Sequence, residues 1–209
     1  MESLLGIDPQ WLGLTSLWFG LGYLCGSVPF GILIARIFGL GNLREIGSGN
    51  IGATNVLRTG SKTAAAATLL LDALKGTMPV ILAVHFGGID MAIAAGLGAF
   101  IGHVLPVWLK FKGGKGVATY VGVLLGFSWH YLAVFAVVWL SLAISLRYSS
   151  LAALVASLAV PVYAFYAGSM KLAFAILAMT IIVYLTHRKN ITRLVSGQET
   201  RIGSTPKSS

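Results

Sequence analysis

Val117-Ala-Thr-Tyr120-Val-Gly-Val-Leu-Leu-Gly-Phe127-Ser128-Trp129-His130-Tyr-Leu-Ala-Val-Phe135-Ala-Val-Val-Trp139-Leu-Ser-Leu-Ala-Ile-Ser-Leu146 is a nearly unbroken apolar run. A helix crossing the ~30 Å hydrocarbon core needs about 20 such residues. The run therefore reads either as one long tilted helix or as two shorter ones divided at Ser128-Trp129-His130. The choice fixes the parity of everything downstream, and with it the side of a membrane on which each basic loop lies.

The rest of the chain demands a membrane frame. Of 209 residues, 56% are hydrophobic and 10% are charged, whereas soluble domains carry about a quarter charged residues. The chain reads as an all-α, polytopic integral membrane protein, a single domain over residues 1–203 with a disordered tail over 204–209. A net charge of +9 raises nucleic acid as a partner. The basic residues, however, sit in short loops between apolar spans, a pattern of topology and of anionic lipid or phosphate, so no nucleic acid is expected. Cys25 is the single cysteine, which excludes an intramolecular disulfide. The N-terminus carries Glu2 and Asp8 and no base before the first span, unlike a cleavable signal peptide, so that span is expected to remain attached.

Apolar runs cover residues 11–38, 67–86, 91–109, 150–167 and 171–186. Trp11 and Trp18 suit an interface, and Pro29 predicts a kink. Residues 50–66 remain as a separate, more polar helix or re-entrant piece. If 117–146 is two helices, the chain has seven spans. Arg36, Arg44, Arg58, Lys62, Lys110, Lys112, Lys115, Arg147, Arg188, Lys189, Arg193, Arg201 and Lys207 then share one side, and only Lys171 falls opposite. A single helix would split them, against the cytoplasmic bias of Lys and Arg. The expectation is seven helices in the inner (cytoplasmic) membrane, N-terminus outside and C-terminus cytoplasmic.

That topology brings three polar clusters to the cytoplasmic side. The first is Gly47-Ser48-Gly49-Asn50-Ile-Gly52-Ala-Thr-Asn55-Val-Leu-Arg58. It satisfies G-x-G-x-x-G, but a membrane helix rather than a strand precedes it, which excludes a dinucleotide fold. Free N–H groups opening a helix still favour an anion, and Asn55 and Arg58 share a helix face. The second is His103-Val-Leu-Pro106-Val-Trp-Leu-Lys110-Phe-Lys112-Gly113-Gly114-Lys115-Gly-Val-Ala-Thr119. A nucleotide phosphate loop would need glycine at Leu109 and Ser or Thr at Gly116, so ATP and magnesium are unsupported. Consecutive N–H groups beside lysines nonetheless make a concave anion site. The third is His187-Arg188-Lys-Asn190-Ile-Thr-Arg193-Leu-Val-Ser-Gly197-Gln-Glu199, where His187 and Asn190 share a face and can hold a hydroxyl or a phosphate oxygen. Taken alone, each cluster reads more readily as a glycine turn, an inside loop or a basic collar than as a site.

Within the apolar runs, Asp72 and Lys75 lie on one helix face, either a neutralising pair or part of the site. His103 reads as a hydrogen-bonded structural histidine. His85-Phe-Gly-Gly-Ile-Asp90 fits the H-x4-D pair of thioester-dependent acyltransferases, but the topology places it on the outer face, so it reads as coincidence.

Together the three clusters, with Gly26-Ser-Val-Pro-Phe-Gly31, Asp72-x-x-Lys75-Gly76 and Arg147-Tyr-Ser-Ser150-Leu, resemble the bacterial acyl-phosphate dependent glycerol-3-phosphate acyltransferases, the PlsY family, over residues 11–203. The resemblance implies transfer of an acyl group from acyl phosphate to the 1-hydroxyl of glycerol 3-phosphate, giving lysophosphatidate and inorganic phosphate, with no metal or nucleotide cofactor. It implies Ser48, Lys112, His187 and Asn190 as catalytic. Asn50, Asn55, Arg58, Gly113, Gly114, Lys115 and Ser150 are implied as substrate-binding, and Gly197 and Glu199 as structural. The acyl chain would lie between helices, open to the bilayer. The glycerol hydroxyl's proton would pass to His187 or, with preference, to the donor phosphate, because no carboxylate stands near His187 in sequence. The alternative is a transporter or exchanger of organic phosphates, which glycine-rich helices, Pro29, Asp72 and Lys75 would also suit.

Overall fold

Inside a membrane every backbone N–H must find a carbonyl within its own segment, so a chain this apolar has little choice but helix. The computed structural model describes residues 8–203, and every regular element among them is helical. Two compact units, Met1–Phe127 and Ser128–Ser209, make up the chain, and each is described by itself. The readings made for residues 1–7 and for the tail 204–209 lie outside the described residues.

In the first unit, α1 (Pro9–Gly26) starts under Asp8, whose carboxylate accepts from Gln10 N at 2.9 Å. Pro9 stands at the first helical position, where no N–H is required. The kink expected at Pro29 is a complete break over residues 27–29, after which α2 (Phe30–Ile37) resumes. The polar piece that follows contains only the short α3 (Ala53–Leu57). Then α4 (Lys62–Val104) begins at Lys62 rather than near Ala67, because the Ser61 hydroxyl accepts from Ala64 N at 3.2 Å and caps it.

At 43 residues α4 would run about 65 Å if straight, twice the hydrocarbon core. Gly88 breaks it with φ 76° and ψ −167°, a conformation essentially reserved for glycine. Groups far apart in sequence meet across the break: His103 Nδ1 lies 3.7 Å from Asp72 Oδ1, and a Cβ on Gly96 would stand 3.2 Å from Val80 Cγ2. The element is a helical hairpin whose arms, 62–87 and 89–104, correspond to two of the apolar runs. Its second arm lies backbone to backbone on α1, since a Cβ on Gly22, Gly26, Gly98 or Gly102 would strike the facing main chain. Small residues four apart permit that approach between membrane helices. Gly76 and Gly122 do the same between the first arm and α5 (Val117–Phe127).

The run 117–146 is two helices. Helix α5 ends at Phe127, Ser128 is extended at φ −170°, and its hydroxyl caps α6 (Trp129–Ser145) by accepting from His130 N at 3.4 Å. The second unit continues with α7 (Ser149–Tyr166), α8 (Met170–Thr186) and α9 (Arg188–Val195), the last two bent by 62° at His187. Pro161 inside α7 supplies no N–H to the Ser157 carbonyl one turn back. The Thr180 hydroxyl of α8 donates to that carbonyl at 2.9 Å, so the helix pair repairs the gap. By length and composition Pro9–Ile37, Lys62–Leu109 and Ser149–Tyr166 can each cross a membrane, with the bent pair α8–α9 as a fourth candidate. Leu17, Ile81, Ile144 and Phe174 are exposed on their helices, as lipid-facing residues must be.

Candidate active site

The polar segment before α4 is organised by Asn55, which is only 2% exposed. Its Oδ1 accepts from Ser48 N at 3.0 Å, from Ser48 Oγ at 3.3 Å and from Arg58 Nη1 at 3.5 Å, while its Nδ2 donates to Leu43 O at 2.9 Å. Asn55 was expected to bind substrate. With its amide turned inward onto four groups it instead fixes where Ser48 and Arg58 stand. Gly47 at φ 53° admits this arrangement, because a Cβ there would press on both the Asn55 and the Arg58 side chains. Asn50 closes the turn, its Oδ1 accepting from Gly52 N at 3.2 Å. Ser48 and Arg58 remain at the surface.

The lysine-glycine loop follows α4. After a one-turn 3-10 helix, Val107–Leu109, the backbone passes through Lys110 at φ 52° and Phe111 at φ 59°. Two successive non-glycine residues in the left-handed region cost of order 1 kcal/mol each and persist only where the surroundings over-determine them. Here the surroundings do: Phe111 N donates to Pro106 O at 3.0 Å, Lys112 N to Leu109 O at 3.1 Å, and Trp108 Nε1 to Ser27 Oγ at 2.7 Å. The Gly113 and Gly114 N–H groups, expected to face phosphate, donate to Val104 O at 3.0 Å and His103 O at 3.1 Å. They cap the end of α4, whose last carbonyls need donors. These glycines serve close approach, since a Cβ on Gly113 would strike two carbonyls and one on Gly114 the His103 ring. The loop leaves Lys112 exposed, and Lys115 is half-buried.

Under the loop lies a buried charge cluster. Lys75 Nζ stands 2.7 Å from Asp72 Oδ1 and donates to Val28 O at 2.7 Å, at the break between α1 and α2. The alternatives for Asp72 and Lys75 thus resolve to an ion pair, with His103 beside the carboxylate. His85 and Asp90 flank the Gly88 turn, about 20 Å along the arm from His103 at 1.5 Å per residue.

In the second unit Glu199 gathers the third cluster. Its Oε1 accepts from Asn190 Nδ2 at 2.7 Å and from Ser150 Oγ at 2.8 Å, and its Oε2 from Arg193 Nε at 2.7 Å. Ser150 was expected to touch substrate; it is buried, with its hydroxyl committed to Glu199. Gly197 at φ 69° turns the chain after α9 so that Glu199 can reach back. His187 Nδ1 lies 2.8 Å from Val183 O. A carbonyl only accepts, so the neutral ring carries its proton on Nδ1 and Nε2 is the accepting nitrogen.

A family model described as glycerol-3-phosphate acyltransferase matches residues 16–197. The chain belongs to the glycerol-3-phosphate acyltransferase family. A glycerol-3-phosphate acyltransferase of Brucella suis is 60% identical over 183 residues, 88% of this chain and 90% of that one. One of Mesorhizobium japonicum is 58% identical over 88% of this chain and 93% of its own. A crystal structure of PlsY, an integral membrane glycerol 3-phosphate acyltransferase in its glycerol 3-phosphate form, matches with a TM-score of 0.85 at 38% identity, over 93% of this chain and 96% of that one. Its lysophosphatidic acid form matches with a TM-score of 0.84.

In this member of the acyltransferase family the Glu199 contacts carry a pH dependence. Burial alone would raise the carboxyl, but hydrogen bonds from Asn190, Ser150 and Arg193, with the arginine's charge, outweigh it and hold Glu199 below the ordinary glutamate value. The stabilisation is therefore complete above the unfolded value of about 4.3 and is lost as pH falls through the lower folded value. Glu199→Gln is expected to lower the melting temperature at neutral pH by roughly 3–10 °C, the scale of losing charge-assisted hydrogen bonds. The gap from wild type should narrow as the melts are repeated at increasingly acid pH; a pH-independent gap would remove the carboxylate's charge from the explanation.

Proposed function

We propose that this chain transfers an acyl group from acyl phosphate to the 1-hydroxyl of glycerol 3-phosphate, releasing lysophosphatidate and inorganic phosphate, as the first acylation of phospholipid synthesis. The reading places it in the inner membrane with seven crossings, the N-terminus outside and the active site facing the cytoplasm. The crossings are α1 with α2, the two arms of α4, then α5, α6, α7 and α8. Support comes from the basic residues, which this parity collects on one side. The observation that carries the function is the Asn55-centred arrangement holding Ser48 and Arg58 in the same unit as the exposed Lys112. Both substrates bear phosphate, and a surface with cations on two built loops suits a pair of them.

Acyl phosphate is already an activated carbonyl, so the work reduces to positioning, charge stabilisation and movement of one proton. The proposal assigns the donor's phosphate to Lys112, Lys115 and the N–H groups that the first turn of α5 leaves without a helical carbonyl. Ser48, Asn50 and Arg58 take the phosphate of the acceptor; the part of His187 and Asn190 in handling its hydroxyl is assigned from the sequence motif that carries them. The hydroxyl oxygen bonds to the acyl carbon and the bond from that carbon to the phosphate oxygen breaks. The proton passes to an oxygen of the departing phosphate, while Lys112 stabilises the developing negative charge.

His187 positions the acceptor before the transfer, its Nε2 accepting the hydroxyl's hydrogen bond, and the hydroxyl gives up that bond and turns its hydrogen to the phosphate oxygen as the carbon–oxygen bond forms. Its Nδ1 partner is a main-chain carbonyl, which supports an imidazolium less than a carboxylate would. His187→Ala is expected to raise KM for glycerol 3-phosphate with kcat falling less than about tenfold, below the 10²–10⁴-fold usual for loss of a general base. A larger kcat loss at unchanged KM would move the proton to the histidine. The function itself is tested with purified protein, labelled glycerol 3-phosphate and either palmitoyl phosphate or palmitoyl-CoA. Lysophosphatidate is expected from the phosphate alone, and none from either donor overturns the reading.

A further inference from the structure

Arg44 has no place in that reaction scheme, yet it joins the two loops of the first unit. Its Nη1 donates to Gly49 O at 3.3 Å and its Nη2 to the main-chain carbonyl of Lys112, across 68 positions of sequence. Both ends of this link are built. On the near side, Arg44 N donates to Asn42 Oδ1 at 3.0 Å, and Gly49, at φ 66°, lies so close that a Cβ would stand 3.1 Å from Arg44 O. On the far side, the N–H groups of Phe111, Lys112, Gly113 and Gly114 all turn back onto residues 103–109, and the Lys112 carbonyl turns to the guanidinium. The two left-handed residues just before Lys112 aim it there.

From this geometry we infer that Arg44 is a positioning residue that sets the spacing between the Ser48 loop and the Lys112 side chain. The inference rests on the proposed assignment of those two loops to the two phosphates. Both Arg44 partners are carbonyls, so the two donors it uses in this link are directed at the protein. The planar guanidinium can bridge two carbonyls at a fixed separation, whereas a lysine ammonium is a single point on a flexible stem. Displacing a reacting group by about 1 Å is enough to cost about 100-fold in rate. A strut of this kind therefore registers in kcat, because each loop can still bind its own phosphate while the two are no longer held in register.

The test uses the full-length enzyme purified in detergent. Arg44→Ala and Arg44→Lys are each expected to lower kcat by roughly 10- to 100-fold while KM for both substrates stays within about threefold. In a Lys112→Ala background, Arg44→Ala is expected to cost less than about twofold more, because the side chain it positions is already gone. A purely structural role would add its full loss there, and that outcome overturns the inference. So does full activity of Arg44→Lys, or a rise in KM for one substrate at unchanged kcat, which would make Arg44 a phosphate ligand. Should Arg44→Ala fold poorly by thermal melting, Arg44→Lys carries the comparison, since it keeps the charge and most of the stem. The underlying assignment is checked separately with Ser48→Ala and Lys112→Ala. If both leave kinetics intact, that assignment falls and the inference with it; if both are impaired while the Arg44 variants match wild type, the inference alone falls.

Discussion

Asp72→Ala is expected to destabilise the first unit by about 3–5 kcal/mol, the scale of breaking a buried pair by removing one partner. The Asp72 and Lys75 side chains are 3% and 2% exposed and stand 2.7 Å apart, so the ammonium left behind has no water to turn to. Its remaining partner would be the Val28 carbonyl, with the Phe30 ring 5.7 Å away. The damage would spread, because His103 faces the same carboxylate at 3.7 Å, joining the second arm of α4 to this point. In a thermal melt the loss corresponds to a drop of roughly 6–20 °C for a chain of this size. Asp72→Asn combined with Lys75→Met is expected to regain half or more of it, since neutral groups of similar volume carry no stranded charge. If the double variant is as unstable as Asp72→Ala, charge pairing is not what holds the cluster.

The division at Ser128 and the hairpin at Gly88 could both be read from the chain, for the same reason. The width of a membrane sets how long an apolar run can continue, and the sidedness of Lys and Arg decides how many turns it takes. Partners are harder to read than sides. Asn55 and Ser150 carry the polar groups a substrate would need, and nothing in their spacing says that those groups already hold Ser48, Arg58 and Glu199. Gly113 and Gly114 illustrate the ambiguity of glycine: an open N–H for an anion and a missing Cβ for close approach are written with the same letter, and the fold uses the second. Arg44 counted only toward topology, since its contact with Lys112 exists only after α4 has folded back on itself.

The same loop supplies the largest expected loss of activity from a single methyl group. Gly114 does not take a positive φ, so its backbone accepts alanine and any effect must be steric. The new Cβ would overlap His103 Nε2, and the ring has nowhere to retreat: His103 is 4% exposed and its Nδ1 already faces Asp72 at 3.7 Å. The loop must therefore lift, stretching the 3.1 Å bond from Gly114 N to His103 O and carrying Lys112, two residues back, with it. A displacement near 1 Å at a group that stabilises developing charge is expected to cost about 100-fold or more in kcat, with overpacking adding roughly 1–3 kcal/mol of destabilisation. The collision has a specific remedy. Gly114→Ala combined with His103→Ala removes the obstructing ring, and this double variant should be more active than Gly114→Ala alone although it carries one more change. Measured side by side with palmitoyl phosphate as donor, a double variant no better than the single one would mean that Gly114 acts on the substrate directly and that the contact with His103 is incidental.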